Sequence, residues 1–315
     1  MRFSVYQESH IGGRKVNQDR MGYCFTRDSL LLLLADGMGG HIMGEMAATI
    51  AMQTIGNLFQ QQAKPCIGRP ERFLEESFIA AHKEIHRYKV VNNLPDTPRT
   101  TIVACLIQHD TAFWAHCGDS RLYWMRNGQL LLRTRDHSRL ETLIAQGAVQ
   151  ESQRDTHPDR NKLFNCLGAP NYPIVEMSRR VSLQAGDVML LCSDGLWSVL
   201  PEHLILQQMR ERTIVRAIPD LLNKAVSIGG KHSDNVTALA MMWEGGDDNP
   251  STVTTHTLPI DAVTTTIQAT IIDAERSGVQ EGEEETDTFD EVDIEKAIEE
   301  IRNAIQKSNK VGLKN

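Results

Sequence analysis

Two unbroken apolar runs stand out between residues 1 and 243. Leu30-Leu31-Leu32-Leu33-Leu34-Ala35 is closed by Asp36-Gly37, and Val188-Met189-Leu190-Leu191-Cys192-Ser193 is closed by Asp194-Gly195. Short apolar runs that end in turn residues are the pattern of strands buried on both faces. Residues 111–117 and 121–126 flank Gly118-Asp119-Ser120, and the second runs through Asn127-Gly128 into 129–132. Asn-Gly between two apolar segments is a strong short-range hairpin signal. A last apolar strand is expected over 235–243. Helical spacing replaces this pattern in a few blocks: Ala47, Ala51, Ile55 and Leu58 after Gly44, then Leu74, Phe78, Ala81, Ile85 and Tyr88. Segments 201–210 and 213–228 also read as helices, the first entered through Pro201. Many strands with helices gathered in blocks, without strict alternation, indicate an α+β layered sandwich rather than a parallel sheet. Residues 137–172 are polar and irregular, with one short helix expected; they read as an inserted flap.

The pattern changes after Trp243. Glu244-Gly245-Gly246-Asp247-Asp248-Asn249-Pro250 breaks the chain, and a Thr-, Asp- and Glu-rich stretch follows to about residue 288. Such a composition buries too little apolar surface to fold alone, so 244–288 reads as a disordered acidic linker. Phe289, Val292, Ile294, Ile298, Ile301 and Ile305 then mark a short amphipathic helix over 289–315. Residues 1–243 are thus the expected folded domain.

Charge sharpens this division. The net charge is −8, yet residues 244–315 hold about 17 acidic and 6 basic side chains, leaving 1–243 at about +3. An acidic tail on a near-neutral body argues against a nucleic-acid partner, whereas a slightly basic body suits an anionic substrate. The six cysteines form no Cys-x-x-Cys pair and lie mostly inside apolar runs, the pattern of free buried thiols in a reducing compartment. The first residues lack the apolar core of a signal peptide, and no apolar stretch is long enough to span a bilayer. A cytoplasmic protein without a membrane partner is expected.

The candidate chemistry lies in five aspartates placed where strands meet loops. Asp19 precedes a strand, Asp36 and Asp194 end buried strands, Asp119 lies between two, and Asp234 opens the last. A carboxylate just past a buried strand is held at the sheet edge, where a converging set binds hard cations through oxygen. An Asp-Gly after a strand is usually only a turn; it is the recurrence that argues for a site. No His-x-x-x-His or Cys/His cluster offers zinc ligands, so magnesium or manganese is implied. Arg14, in Gly12-Gly13-Arg14-Lys15, is the candidate phosphate clamp, since a guanidinium grips two phosphoryl oxygens at once. Ser138 and Ser193 lie outside any Gly-x-Ser-x-Gly, which sets aside a serine hydrolase.

Seven motifs in order, Gly13-Arg14…Asn17-Gln18-Asp19-Arg20, Ala35-Asp36-Gly37-Met38-Gly39-Gly40-His41…Gly44-Glu45, Thr100-Thr101, Gly118-Asp119-Ser120-Arg121, Thr134…Asp136-His137-Ser138, Cys192-Ser193-Asp194-Gly195-Leu196-Trp197 and Asp234-Asn235-Val236-Thr237, resemble the metal-dependent protein phosphatases of the type 2C family. The resemblance covers residues 1–243 and is closest to compact bacterial members that reverse Ser/Thr kinases. It implies a four-layer α-β-β-α sandwich with two central antiparallel sheets and a metal site at one end. It further implies that Asp36 bridges two Mn2+ or Mg2+ ions, that the Gly37 carbonyl binds the second, and that Asp194 and Asp234 hold the first. Asp119, with Asp194, makes a weaker third site; Asp19 binds metal waters and Arg14 the substrate phosphate. Two cations sharing a water lower its pKa enough to yield hydroxide near neutral pH, which attacks phosphorus in line without a phosphoenzyme.

Three departures matter. Met38 stands where some members place a histidine general acid, with His41 the nearest replacement by sequence. Gln18 stands where many carry glutamate, and Arg99 precedes Thr100-Thr101 where a small residue is common. Expected partners are phosphorylated protein substrates and a Ser/Thr kinase, on a monomeric enzyme. The alternatives are a pseudophosphatase binding module, which intact Asp36, Asp194 and Asp234 argue against, and a phosphatase of small phosphoesters. The tail threonines, Thr252 to Thr257 and Thr264 to Thr266, are candidate kinase targets through which a tail partner is recruited, unless the tail is only a solubilising linker.

Overall fold

A computed structural model of the chain describes residues 1–38, 43–150, 153, 157–159 and 162–245, together with the backbone of Thr254–Thr255. All belong to one compact unit, Met1–Ile271. The expected amphipathic helix and nearly all of the expected linker lie outside the described residues.

Residues 30 to 35 show why an unbroken apolar run makes a strand here. In β3 (Ser29–Asp36) successive side chains point to opposite faces, and both faces are covered. Leu30, Leu32 and Leu34 pack between two sheets, whereas Leu31, Leu33 and Ala35 face helices. One sheet holds β3 beside β2 (Asp19–Phe25) and β4 (Ile102–Gln108), then β5 (Thr111–Cys117), whose outer edge takes β8 (Glu176–Met177) and β9 (Val181–Ser182). The other runs β12 (Thr254–Thr255), β1 (Arg2–His10), β11 (Val236–Gly245), β10 (Val188–Cys192), β6 (Arg121–Arg126) and β7 (Gln129–Arg133). Every pairing is antiparallel except the two-residue contact of β12 with β1.

Helices α1 (Gly44–Gln62) and α2 (Pro70–Val91) cover the first sheet through Ala47, Ala51, Ile55, Phe59, Leu74, Phe78 and Ile85. Helices α5 (Glu202–Glu211) and α6 (Ile214–Gly229) cover the second through Ile205, Ala217, Ile218, Leu221 and Leu222, against Leu190, Ala238 and Ala240. The result is the expected α-β-β-α sandwich. Asn127 and Gly128 both take positive φ, 51° and 71°, at the β6–β7 turn, as a primed hairpin turn requires.

The structure extends the reading from sequence in three places. Two strands that the apolar pattern did not single out, β1 and β4, are present; β1 alternates, burying Phe3 and Val5 on one face. Asp194-Gly195 does not form a simple turn: it opens a one-turn helix, α4 (Asp194–Trp197). The flap begins with helix α3 (Arg139–Ala145), capped by Ser138, whose Oγ accepts from Glu141 N, and returns along the β5 edge through β8 and β9. Among the described residues no helix is long and apolar enough to cross a membrane.

Because Leu32 is fully buried between the sheets, Leu32→Ala is expected to cost about 3 kcal/mol. That corresponds to a melting temperature lower by about 6–12 °C for a domain of this size. An unchanged melting curve would contradict the inter-sheet core described above.

Candidate metal centre

The strand register brings the site together. In the β2–β3 pairing Asp19 lies directly opposite Asp36, so two carboxylates from the first sheet share one edge. Asp194 follows β10 and Asp234 precedes β11, neighbours in the second sheet, so their ends meet the same edge from across the sandwich. Short polar bonds stitch the two edges. Ser193 Oγ donates to Asp19 Oδ2 at 2.8 Å and accepts from Thr237 N at 3.1 Å. Asn235 Oδ1 accepts from Gln18 N at 2.8 Å, while its amide donates to the carbonyls of Ile11 and Val16. Thr100 Oγ1 donates to the Asp36 carbonyl at 2.8 Å, and the backbone of Thr101 does so at 2.9 Å. Two glycines make the approach feasible: a Cβ on Gly12, at φ +61°, would lie 2.1 Å from the Asp234 carbonyl, and one on Gly37 2.4 Å from Gly44.

The electrostatics of this convergence are unfavourable without a cation. Burial, followed by the charges of Asp19, Asp194, Asp119 and Asp234, holds the Asp36 carboxyl well above the ordinary carboxylate range. Burial pushes Asp194 up to about 7, with Asp234 and Asp19 adding to it. Asp19 is pushed up to about 6 by burial, against the hydrogen bonds it accepts from Thr237 and Ser193. Asp119 is likewise held well up by burial and then by Asp194. Asp19 Oδ1 is buried without a hydrogen-bond partner. An oxygen-only donor set, crowded with negative charge and holding an orphaned carboxylate oxygen, fits hard divalent cations. Arg14 lies over the same cluster, its Nη2 donating to Asp234 Oδ2 at 2.8 Å while its side chain stays about half exposed.

The sequence comparisons agree with this geometry. The model of the family described as protein phosphatase 2C matches residues 6–225. The chain belongs to the protein phosphatase 2C family. A serine/threonine phosphatase, stp, of Listeria monocytogenes is 30% identical over 229 residues, covering 72% of this chain and 90% of that protein. The solved serine/threonine phosphatase of S. agalactiae superposes with a TM-score of 0.68 at 27% identity, over 77% of this chain and 100% of that one. The catalytic domain of the phosphatase PstP, solved with two manganese ions, gives 0.64 at 27% identity, over 76% of this chain and 97% of that one. This chain is a serine/threonine phosphoprotein phosphatase with manganese or magnesium as its cofactor.

Within this protein phosphatase 2C frame, the departures read from sequence acquire partners. Gln18 does not stand alone: its Nε2 donates to Glu45 Oε2, 3.0 Å away, in the first turn of α1. Thr100 and Thr101 set the backbone of Asp36, and Thr101 Oγ1 also pairs with Ser120 Oγ at 2.7 Å. The residue before them, Arg99, accepts from Met38 N through its carbonyl. His41 lies outside the described residues. Ser193, Asn235 and Trp197 are positioning residues that sequence reasoning quoted within motifs but gave no role. Adjacency to Asp194 and Asp234 was the available signal for the first two. Trp197 Nε1 donates to the Asp119 carbonyl at 3.0 Å, and its ring carries the Arg121 guanidinium 3.6 Å from its centroid. Arg121 is buried and bidentate to Asp136, at 2.8 and 2.7 Å.

Mutual repulsion yields a test that reads stability rather than turnover. Asp36→Asn removes one charge from the cluster and is expected to raise the melting temperature of metal-free protein by about 2–4 °C per kcal/mol relieved. The same change is expected to abolish the melting-temperature increase on adding manganese. A metal-free variant less stable than the parent, or one still stabilised by manganese, would contradict the arrangement.

Proposed function

We propose that this edge hydrolyses phosphoserine and phosphothreonine in protein substrates by direct attack of water, with each strand-end carboxylate in a separate role. The observation that carries the reading is the crowding of Asp19, Asp194, Asp119 and Asp234 around Asp36. Asp36 and the Gly37 carbonyl, with Asp194 and Asp234, would hold the core cations; Asp19 would act through their waters, and Asp119 with Asp194 would hold a weaker third ion. When bound, the cations supply a water of lowered pKa as nucleophile and offset charge on the phosphoryl group. The chain's own work is positional. Asp36 stays fixed because Thr100 and Thr101 hold its carbonyl, and Ser193 orients Asp19. Arg14 holds phosphoryl oxygens; its bond to Asp234 keeps the guanidinium above the carboxylates with further donors in its fork.

Thiol chemistry has no place in this scheme. Burial pushes Cys24 and Cys192 up to about 12 and Cys166 to about 11, so none of the three is a thiolate near neutral pH. The reading extends to a cytoplasmic monomer that reverses a bacterial Ser/Thr kinase. In it residues 1–243 form the catalytic domain, and the acidic tail is dispensable for the chemistry.

Hydrolysis of para-nitrophenyl phosphate and of a phosphothreonine peptide, with manganese, magnesium or chelator, tests the scheme. Alanine at Asp36, Asp194 or Asp234 is expected to lower kcat by about 10²–10³-fold or more with the fold retained. Near-normal turnover by Asp36→Ala would refute its role. Arg14→Ala should act mainly through KM for the phosphopeptide, and unchanged KM and kcat would remove the clamp. A chain ending at Glu244 should hydrolyse the small ester as the full chain does; loss of that activity would place the tail within the domain.

A further inference from the structure

Outside the carboxylate cluster, His116, His137 and Glu176 bring ligand-type atoms within 4.8 Å of one another. Their bonding is that of a relay, not of a metal site. His137 Nδ1 accepts from Gly118 N at 3.2 Å and lies 2.6 Å from Asn165 Nδ2, itself a donor. Two donors on Nδ1 place the ring proton on Nε2, which faces Glu176 Oε2 at 3.2 Å. A cation on Nε2 would therefore have to displace a proton already in use. His116, stacked on His137 with centroids 4.5 Å apart, points its Nε2 at the Arg135 carbonyl, 2.6 Å away. Burial lowers the pKa of both rings, in keeping with a neutral pair.

His137 also bonds through its main chain, and here the connectivity matters. Its N–H donates to the Gly118 carbonyl at 2.9 Å, so Gly118 is tied to this one residue in both directions. Its carbonyl accepts from Phe164 N at 3.1 Å, and its ring lies against the Phe164 ring. Asn165, the flap residue on Nδ1, closes the loop to residue 174: Nδ2 donates to the Ile174 carbonyl at 2.7 Å and Oδ1 accepts from Ile174 N at 3.0 Å. That loop presents Phe164, Tyr172 and Ile174, each more than half exposed, to whatever protein approaches. On the other side, Gly118 leads directly into Asp119, whose carbonyl is fixed by Trp197 beneath Arg121. Arg121 is in turn held by Asp136, the residue before His137. Flap and Asp119 turn are thus both fastened to residues 136 and 137.

We propose that His137 is a positioning residue that ties the flap loop 162–178 to the Gly118–Asp119 turn, so that a protein substrate pressing on Phe164 and Ile174 changes how Asp119 holds its cation. The proposal rests on the reading of Asp119 as a cation ligand made above. A rigid Gly118 amide keeps the Asp119 carboxylate aimed at the cluster; loosening the flap at Asn165 frees the His137 ring and with it that amide. Partners one step behind a metal ligand commonly govern its affinity to this degree.

The test uses the full-length protein and two readouts that need no turnover: amide hydrogen exchange at Gly118 without metal, and calorimetric titration with manganese. Asn165→Ala leaves Asp119 itself unaltered, yet is expected to speed Gly118 exchange and to weaken the weakest manganese step by about tenfold, sparing the tighter steps. His137→Leu is expected to do the same more strongly. His137→Asn, whose Oδ1 can take the place of Nδ1 as acceptor, is expected to recover most of the loss. Should His137→Leu not fold, Asn165→Ala and His137→Asn carry the comparison alone. Wild-type exchange and titration in folded Asn165→Ala overturn the coupling, as does His137→Asn behaving no better than His137→Leu. If the wild type shows no manganese step that Asp119→Ala removes, the cation reading of Asp119 fails, and the coupling fails with it. Persistence of that step, untouched by Asn165→Ala, sinks the coupling alone.

Discussion

Like charges forced together at the edge of a sandwich are the constraint around which this molecule is arranged. Burial raises the proton affinity of Asp19, Asp36, Asp119 and Asp194, and the charges of neighbouring aspartates raise it further. Such a cluster persists only if the rest of the fold leaves the side chains nowhere else to go. Two sheets, each covered by helices on the outside and by the other sheet within, provide that rigidity. The Asp19–Asp36 register is fixed by seven consecutive residue pairs between β2 and β3; a slip of one residue would turn the leucine faces over. The repulsion among the carboxylates is therefore held in place by hydrophobic burial far from them.

Much of this was legible in the sequence because it depends on local rules. The leucine run 30 to 35 is apolar at every position since both its faces are covered, and the Asn127-Gly128 hairpin follows from backbone preference alone. The metal-edge aspartates were visible because each interrupts or ends an apolar strand. Less legible were groups whose meaning depends on partners distant in the chain. Ser193 reads as a strand terminus until Asp19, 174 residues away, is found on its hydroxyl. Trp197 reads as a core aromatic until its indole N–H is found on the Asp119 carbonyl. The strand β1 escaped because its alternation buries only one face, in a stretch of chain judged chiefly for its lack of a targeting signal.

The position of Arg14 illustrates how one contact serves two demands. The guanidinium lies in the field of three carboxylates, Asp234, Asp194 and Asp36, and its bond to Asp234 holds it over the cluster. The same pairing occupies a single nitrogen of a planar fork that presents five donors. The loop carrying it is held by Gly13 N on the Ser233 carbonyl and by Asn235 on the Ile11 and Val16 carbonyls, so Arg14 and Asp234 are tied through the main chain as well as through their side chains. The backbone that places Arg14 is thus fastened to the backbone that places Asp234.

Gln18 argues for a similar economy on the opposite side of the cluster. A glutamate here would add another negative charge beside Asp19 and Asp36. This chain instead places a neutral amide at the strand end and bonds it to Glu45, one step farther out. Glu45 lies in the first turn of α1, where the exposed N–H groups of the helix favour a carboxylate. Arg20, whose guanidinium Nε donates to Thr49 on the same helix, feels the field of Glu45 as well. The negative charge therefore sits at a helix terminus that stabilises it rather than at the crowded sheet edge. On this view a neutral side chain at residue 18 leaves no defect in the cluster. It spares the crowded sheet edge a further like charge.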